Sequence, residues 1–147
     1  LMLSRDFKEF IEFLNSNRVE YLLIGGYAVA IHGHPRYTKD LDIWVNRTEE
    51  NAVRLLRALD EFGFGSSGLT LEDLMRDNSL IQLGVPPNRI DILNAPDGVE
   101  FGTCYQSKIE SEIDGVAINV IDLENLILNK TASGRHQDLA DVEALEG

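Results

Sequence analysis

Apolar residues near the start of the chain recur with a helical period, then give way to short continuous runs. Phe7, Phe10, Ile11 and Leu14 fall at i, i+3, i+4 and i+7, and Ser4 stands where an N-cap belongs, so an amphipathic helix is expected there. Tyr21 to Ile24 is a short apolar run ended by Gly25-Gly26, the pattern of a buried strand and a tight turn. Tyr27 to His32 then reads as a short helix stopped by Gly33 and Pro35, and Leu41 to Val45 as a second strand. Thr48 is placed to cap a longer helix bearing Val53, Leu56, Leu59 and Phe62. Gly63 to Gly68 reads as a loop and Thr70 to Arg76 as a short helix. Ser79 to Val85 and Arg89 to Leu93 form a hairpin pattern around Pro86-Pro87-Asn88, and Lys108 to Ile113 and Val116 to Ile121 another around Asp114-Gly115. Asp122 caps a helix to about Lys130, and after a break at Ser133-Gly134 a last helix runs from Gln137 to Leu145. This order predicts an α/β (α+β) fold, one mixed β-sheet flanked by helices.

Composition adds bounds. With 147 residues, 44% of them hydrophobic and 26% charged, a single folded domain over residues 1–147 is expected. The formal net charge of -12 argues against general nucleic-acid binding, because such a chain repels a polyanion at long range. A lone cysteine, Cys104, excludes an internal disulfide and fits a reducing compartment. No apolar run approaches the roughly 20 residues of a membrane span. Leu1 to Asp6 has no signal-peptide character, so the expected location is cytoplasmic.

The chemistry concentrates between Ile24 and Ile43. In a strand, residues i and i+2 share a face, so Asp40 and Asp42 project together while Leu41 and Ile43 turn into a core. Two adjacent carboxylates repel, and a divalent cation resolves the repulsion. Mg²⁺ prefers oxygen ligands, commonly one or two carboxylates plus substrate phosphates. Upstream, a strand that ends in Gly25-Gly26 and opens a helix presents backbone N–H groups that a phosphate can approach closely.

Ile24-Gly25-Gly26, thirteen intervening residues and Asp40-Leu41-Asp42-Ile43 together resemble the signature of the nucleotidyltransferase superfamily of the polymerase-β type. The form Arg36-x-Thr38-x-Asp40-Leu41-Asp42 is most similar to the small bacterial branch that includes AbiEii-type toxins. The resemblance implies a third carboxylate from a later strand, and Asp91, between Ile90 and Ile92, is the candidate; otherwise it is an edge-strand acid facing water. Three acids would hold Mg²⁺ or Mn²⁺ as a two-metal clamp for in-line displacement at phosphorus, with Asp91 helping to deprotonate the attacking hydroxyl. The resemblance further suggests that Lys130 contacts a triphosphate and that Arg135, Asp138 and Asp141 form a charge network. By pattern, Lys130 falls seven residues after Leu123 on an apolar stripe, so it either snorkels to water or reaches a charged site.

Other residues leave two readings each. Arg36 and Lys39 either neutralise phosphate or pair with nearby acids. Thr38 positions a metal-bound water or shapes the turn. Trp44, on the Asp40/Asp42 face by alternation, stacks on a base or packs in the core. His32 and His34 lack a third zinc-type ligand and read as exposed loop histidines. Cys104 has no Cys–His–Asn partners in sequence and reads as inert.

The function implied is a metal-dependent transfer of a nucleoside monophosphate from an NTP to a hydroxyl acceptor on a small molecule, a protein or an RNA end. A toxin–antitoxin setting and a homodimer or partner protein are left open. The alternative is an antitoxin-like regulatory module that binds nucleotide without turnover.

Overall fold

The computed structural model describes residues 2–65 and 67–147. Leu1, part of the N-terminal reading above, and Ser66, inside the Gly63–Gly68 loop, lie outside the described residues.

Helix α1 (Arg5–Ser16) begins where Ser4 Oγ accepts from the Phe7 amide, and its Phe7, Phe10, Ile11 and Leu14 are fully buried. β1 (Tyr21–Ile24) is buried throughout and passes directly into α2 (Gly25–Ile31). β2 (Asp40–Val45) returns antiparallel to β1, with Ile24 opposite Asp42. A longer excursion follows: α3 (Glu49–Leu59), a π-helical turn (Asp60–Phe64), α4 (Leu71–Met75) and β3 (Leu80–Leu83). β4 (Arg89–Leu93) pairs antiparallel with β3 and parallel with β2. Then come α5 (Phe101–Gln106), the hairpin of β5 (Ile109–Ile113) and β6 (Val116–Val120), α6 (Leu123–Ser133) and α7 (His136–Glu146). The sheet runs β3-β4-β2-β1-β6-β5, with β6 parallel to β1. This is the mixed, helix-flanked sheet that the pattern predicts. Among the described residues, no helix is long and apolar enough to cross a membrane.

Local chemistry explains most boundaries. Asp114 and Gly115 both take positive φ (52° and 81°), the requirement of a two-residue hairpin turn with both central residues left-handed. Thr48 and Asp122 cap α3 and α6 by accepting from the amides of Asn51 and Asn125. Gly134 ends α6 in the left-handed conformation.

Two features depart from the apolar pattern. The buried stripe of α3 is Ala52, Leu55, Ala58 and Leu59, while Val53 is 41% exposed. The rotation is set by Asn51, which donates from Nδ2 to the carbonyls of Glu20 and Asn46 and accepts at Oδ1 from the Glu20 amide. A buried polar residue must satisfy its hydrogen bonds, so the helix turns Asn51 inward and Val53 outward. The second is α5, which the sequence pattern leaves unassigned. It is six residues long with no side-chain cap, and Phe101 and Cys104 hold it to the core.

Candidate active site

The site is assembled by strand register. Alternation along β2 turns Leu41 and Ile43, both fully buried, away from Asp40 and Asp42. β4 lies parallel beside β2 with Asp42 opposite Asp91. The three carboxylates therefore converge, each offering an oxygen within 4.8 Å of the others. Asp91 is only 8% exposed, which sets aside the water-facing edge acid. Burial, then the neighbouring negative charges of Asp91 and Asp40, push Asp42 up to about 7, against the opposing pull of Lys130 and Arg135. Asp40 Oδ1 is buried without a hydrogen-bond partner.

Arg89 enters this cluster, and the sequence reading assigns it no site role. Its Nη2 donates to Asp40 Oδ2 at 2.8 Å, and its Nε and Nη2 donate to the two oxygens of Asp91 at 2.9 and 3.1 Å. The signal was present: Arg89 and Asp91 are alternate residues of one strand and share a face.

The glycine turn fits the acids closely. Gly25 has φ +70°, and a Cβ there would stand 2.0 Å from Asp42 Oδ2. A Cβ on Gly26 would meet Thr38 Oγ1 at 2.6 Å and Arg36 Nη2 at 3.1 Å. Both glycines thus let the turn close on its own side chains as well as line the cleft. Thr38 Oγ1 lies 3.4 Å from the Asp40 carbonyl, where it shapes the start of β2.

The basic residues divide between a buried network and an open rim. Lys130 is 5% exposed and does not snorkel; its Nζ donates to Asp138 Oδ1 at 3.1 Å and pairs with Asp141 Oδ2 at 2.8 Å. Arg36 holds Asp141 with a two-pronged contact of 2.8 and 2.9 Å. Arg135 Nε reaches Asp138 at 2.7 Å while its side chain stays 80% exposed. Burial alone would raise Asp138 and Asp141, but hydrogen bonds from Arg135 and Lys130 to the first, and from Arg36 and Lys130 to the second, hold both below the usual carboxylate value. The network ties α6 and α7 to the segment that leads into β2. Lys39 is exposed at the rim.

One cleft of about 920 Å³ is lined by Gly25, Gly26, Arg36, Thr38, Lys39, Asp40, Asp42, Asp91 and Lys130, together with Arg89 and Arg135. That size accommodates a nucleotide-sized ligand. Trp44 does not line it: the indole is 1% exposed and packs edge-on against Phe101 at 5.2 Å, so of its two readings the core is the one observed. His32 is not an exposed loop residue either, since its Nε2 lies 2.8 Å from the Ile121 carbonyl and ties the end of α2 to the sheet. Cys104 is buried away from the cleft, and burial pushes its thiol up. Another wall of the cleft, unforeseen from sequence, comes from β3, the end of β4 and the loop after it: Leu80, Gln82, Leu93 and Pro96.

The fold is shared with solved nucleotidyltransferase structures. The chain is 19% identical to a Thermotoga maritima protein assigned as a nucleotidyltransferase, covering 97% of this chain and 89% of that one with a TM-score of 0.62. It is 14% identical to the lincosamide antibiotic adenylyltransferase LnuA, crystallised with lincomycin, with 99% and 98% coverage and a TM-score of 0.60. It is 12% identical to the antibiotic-resistance factor ANT(2'')-Ia, with 95% and 80% coverage and a TM-score of 0.62. These are likenesses of fold. No curated protein matches the chain in sequence. The family model described as "Nucleotidyltransferase of unknown function (DUF6036)" matches residues 2–146, across the glycine turn, the acid cluster and the charge network, and the chain belongs to that family.

Proposed function

We propose that this protein moves a nucleoside monophosphate from an NTP to a hydroxyl acceptor, with Mg²⁺ or Mn²⁺ held at Asp40, Asp42 and Asp91. The observation that carries this reading is the parallel register of Asp42 against Asp91, which gathers three carboxylates beside the glycine turn. The residues suit a hard divalent cation. Their donors are all carboxylate oxygens, and Asp40 Oδ1 is buried with no protein partner, a condition that is costly unless a ligand satisfies it. When bound, the ion would neutralise charge on the transferring phosphoryl group.

The chain's own groups would do the rest. The Gly25-Gly26 backbone, Thr38, Lys39 and Arg135 would bind the triphosphate, with Arg36 and Lys130 acting from within the network behind them. The acceptor oxygen would attack the α-phosphorus as the bond to pyrophosphate breaks, its proton passing to Asp91. Among the described residues, the wall beside Asp91, with Leu80, Gln82, Leu93 and Pro96, carries no cation beyond Arg89, which favours a small-molecule hydroxyl over an RNA end.

The test offers each labelled NTP with Mg²⁺ or Mn²⁺ and a panel of hydroxyl acceptors to wild type and Asp42→Ala. Wild type is expected to release pyrophosphate and label an acceptor, and the variant to lose this by at least 100-fold. Full activity in Asp42→Ala overturns the reading. NTP binding by wild type without any product would favour the regulatory alternative.

A further inference from the structure

The three acids of the cluster are not equivalent. Arg89 grips Asp91 with two parallel hydrogen bonds, Nε to Oδ1 and Nη2 to Oδ2, and extends the same Nη2 to Asp40 Oδ2. A planar guanidinium matches a carboxylate in this two-pronged manner and holds it more firmly than a point charge does. Both oxygens of Asp91 and one of Asp40 are therefore engaged by a cation that the chain supplies itself. What remains is Asp40 Oδ1, buried and without a partner, and the carboxylate of Asp42, which Arg89 does not reach by hydrogen bond. One half of the cluster is neutralised by direct contact, and the other half feels Lys130 and Arg135 only at a distance, with no cation bonded to it.

We infer that Arg89 stands in the place of a second divalent ion, so that the cluster takes up one ion, on Asp40 and Asp42. The inference rests on the divalent-ion reading proposed above and narrows it. Charge balance agrees. One guanidinium and one divalent ion match three carboxylates, whereas two ions beside Arg89 would leave the cluster with an excess of positive charge. Removing the Arg89 charge frees Asp91 and the second oxygen of Asp40, and so opens a second position. Arg89 lines the cleft with its side chain 27% exposed, and Arg89→Gln removes the charge while keeping the inner part of that side chain.

The experiment is a Mn²⁺ titration of the metal-stripped full chain without nucleotide, read by the loss of the free-ion electron paramagnetic resonance signal. Wild type is expected to bind one Mn²⁺ per chain and Arg89→Gln two. Arg89→Lys keeps a positive charge and should remain at one. Arg57→Gln, which removes an exposed charge on α3, should also remain at one and controls for net charge. Asp91→Asn should keep the single ion, since Asp91 is not its ligand; this variant serves if Arg89→Gln does not fold. Two ions in wild type, one in a folded Arg89→Gln, or loss of the ion in Asp91→Asn each overturn the inference while leaving the divalent-ion reading in place. No Mn²⁺ bound by any of these proteins removes that reading and the inference with it.

Discussion

Gly25→Ala isolates the contact on which the acid cluster depends. At φ +70° an L-residue occupies the left-handed region, at a cost of roughly 1–2 kcal/mol. The added Cβ would also stand 2.0 Å from Asp42 Oδ2 and 2.9 Å from its Cγ. Ordinary contact begins about an ångström and a half further out, so the carboxylate has to leave its place opposite Asp91. Gly115 supplies the control: its φ is +81°, but nothing lies within 4 Å of the Cβ it would gain. Both substitutions should therefore carry the conformational cost, a fall in Tm of about 3–8 °C for a chain of this size, measured by thermal unfolding. Only Gly25→Ala should also weaken Mn²⁺ binding and nucleotidyl transfer, by at least tenfold. Unchanged Mn²⁺ binding in a folded Gly25→Ala would refute the reasoning, because the position of Asp42 would then be irrelevant to the ion.

Two further outcomes follow from the charges. Asp42 sits at about 7 in the folded chain against 3.8 for the free side chain, so folding favours its protonated form and the metal-free protein loses stability as pH rises between these values. Tm in chelator should fall from pH 5 to pH 8, Mn²⁺ should restore it at pH 8 more than at pH 5, and Asp42→Asn should flatten both trends; a Mn²⁺ effect equal at the two pH values counts against this account. The network makes the opposite demand of two neighbouring cations. Lys130→Met leaves Asp138 and Asp141 buried with one partner fewer and should cost about 3 kcal/mol in urea unfolding. The exposed Arg135→Gln should cost far less stability yet raise the KM for NTP about tenfold, the worth of one charge-assisted hydrogen bond; a KM unmoved by Arg135→Gln would remove it from the triphosphate site.

Chain order and local chemistry carried a good part of this protein. The capping residues Ser4, Thr48 and Asp122, the left-handed pair Asp114-Gly115 and the shared face of Asp40 and Asp42 follow from positions a few residues apart, where backbone geometry fixes which side chains meet. Tertiary structure decided everything that depends on pairing distant segments. The β2/β4 register places Asp91 against Asp42 and brings Arg89 to Asp40, a contact spanning 49 positions that no local period encodes. Asn51, bonded to Glu20 and Asn46, set the rotation of α3 against the apolar pattern. Lys130 reads locally as a cation on an apolar stripe. Only the docking of α7, with Asp138 and Asp141 beneath it, makes that position a buried ion pair, because burying a charge is tolerable where opposite charges meet it and sequence spacing cannot report that they will.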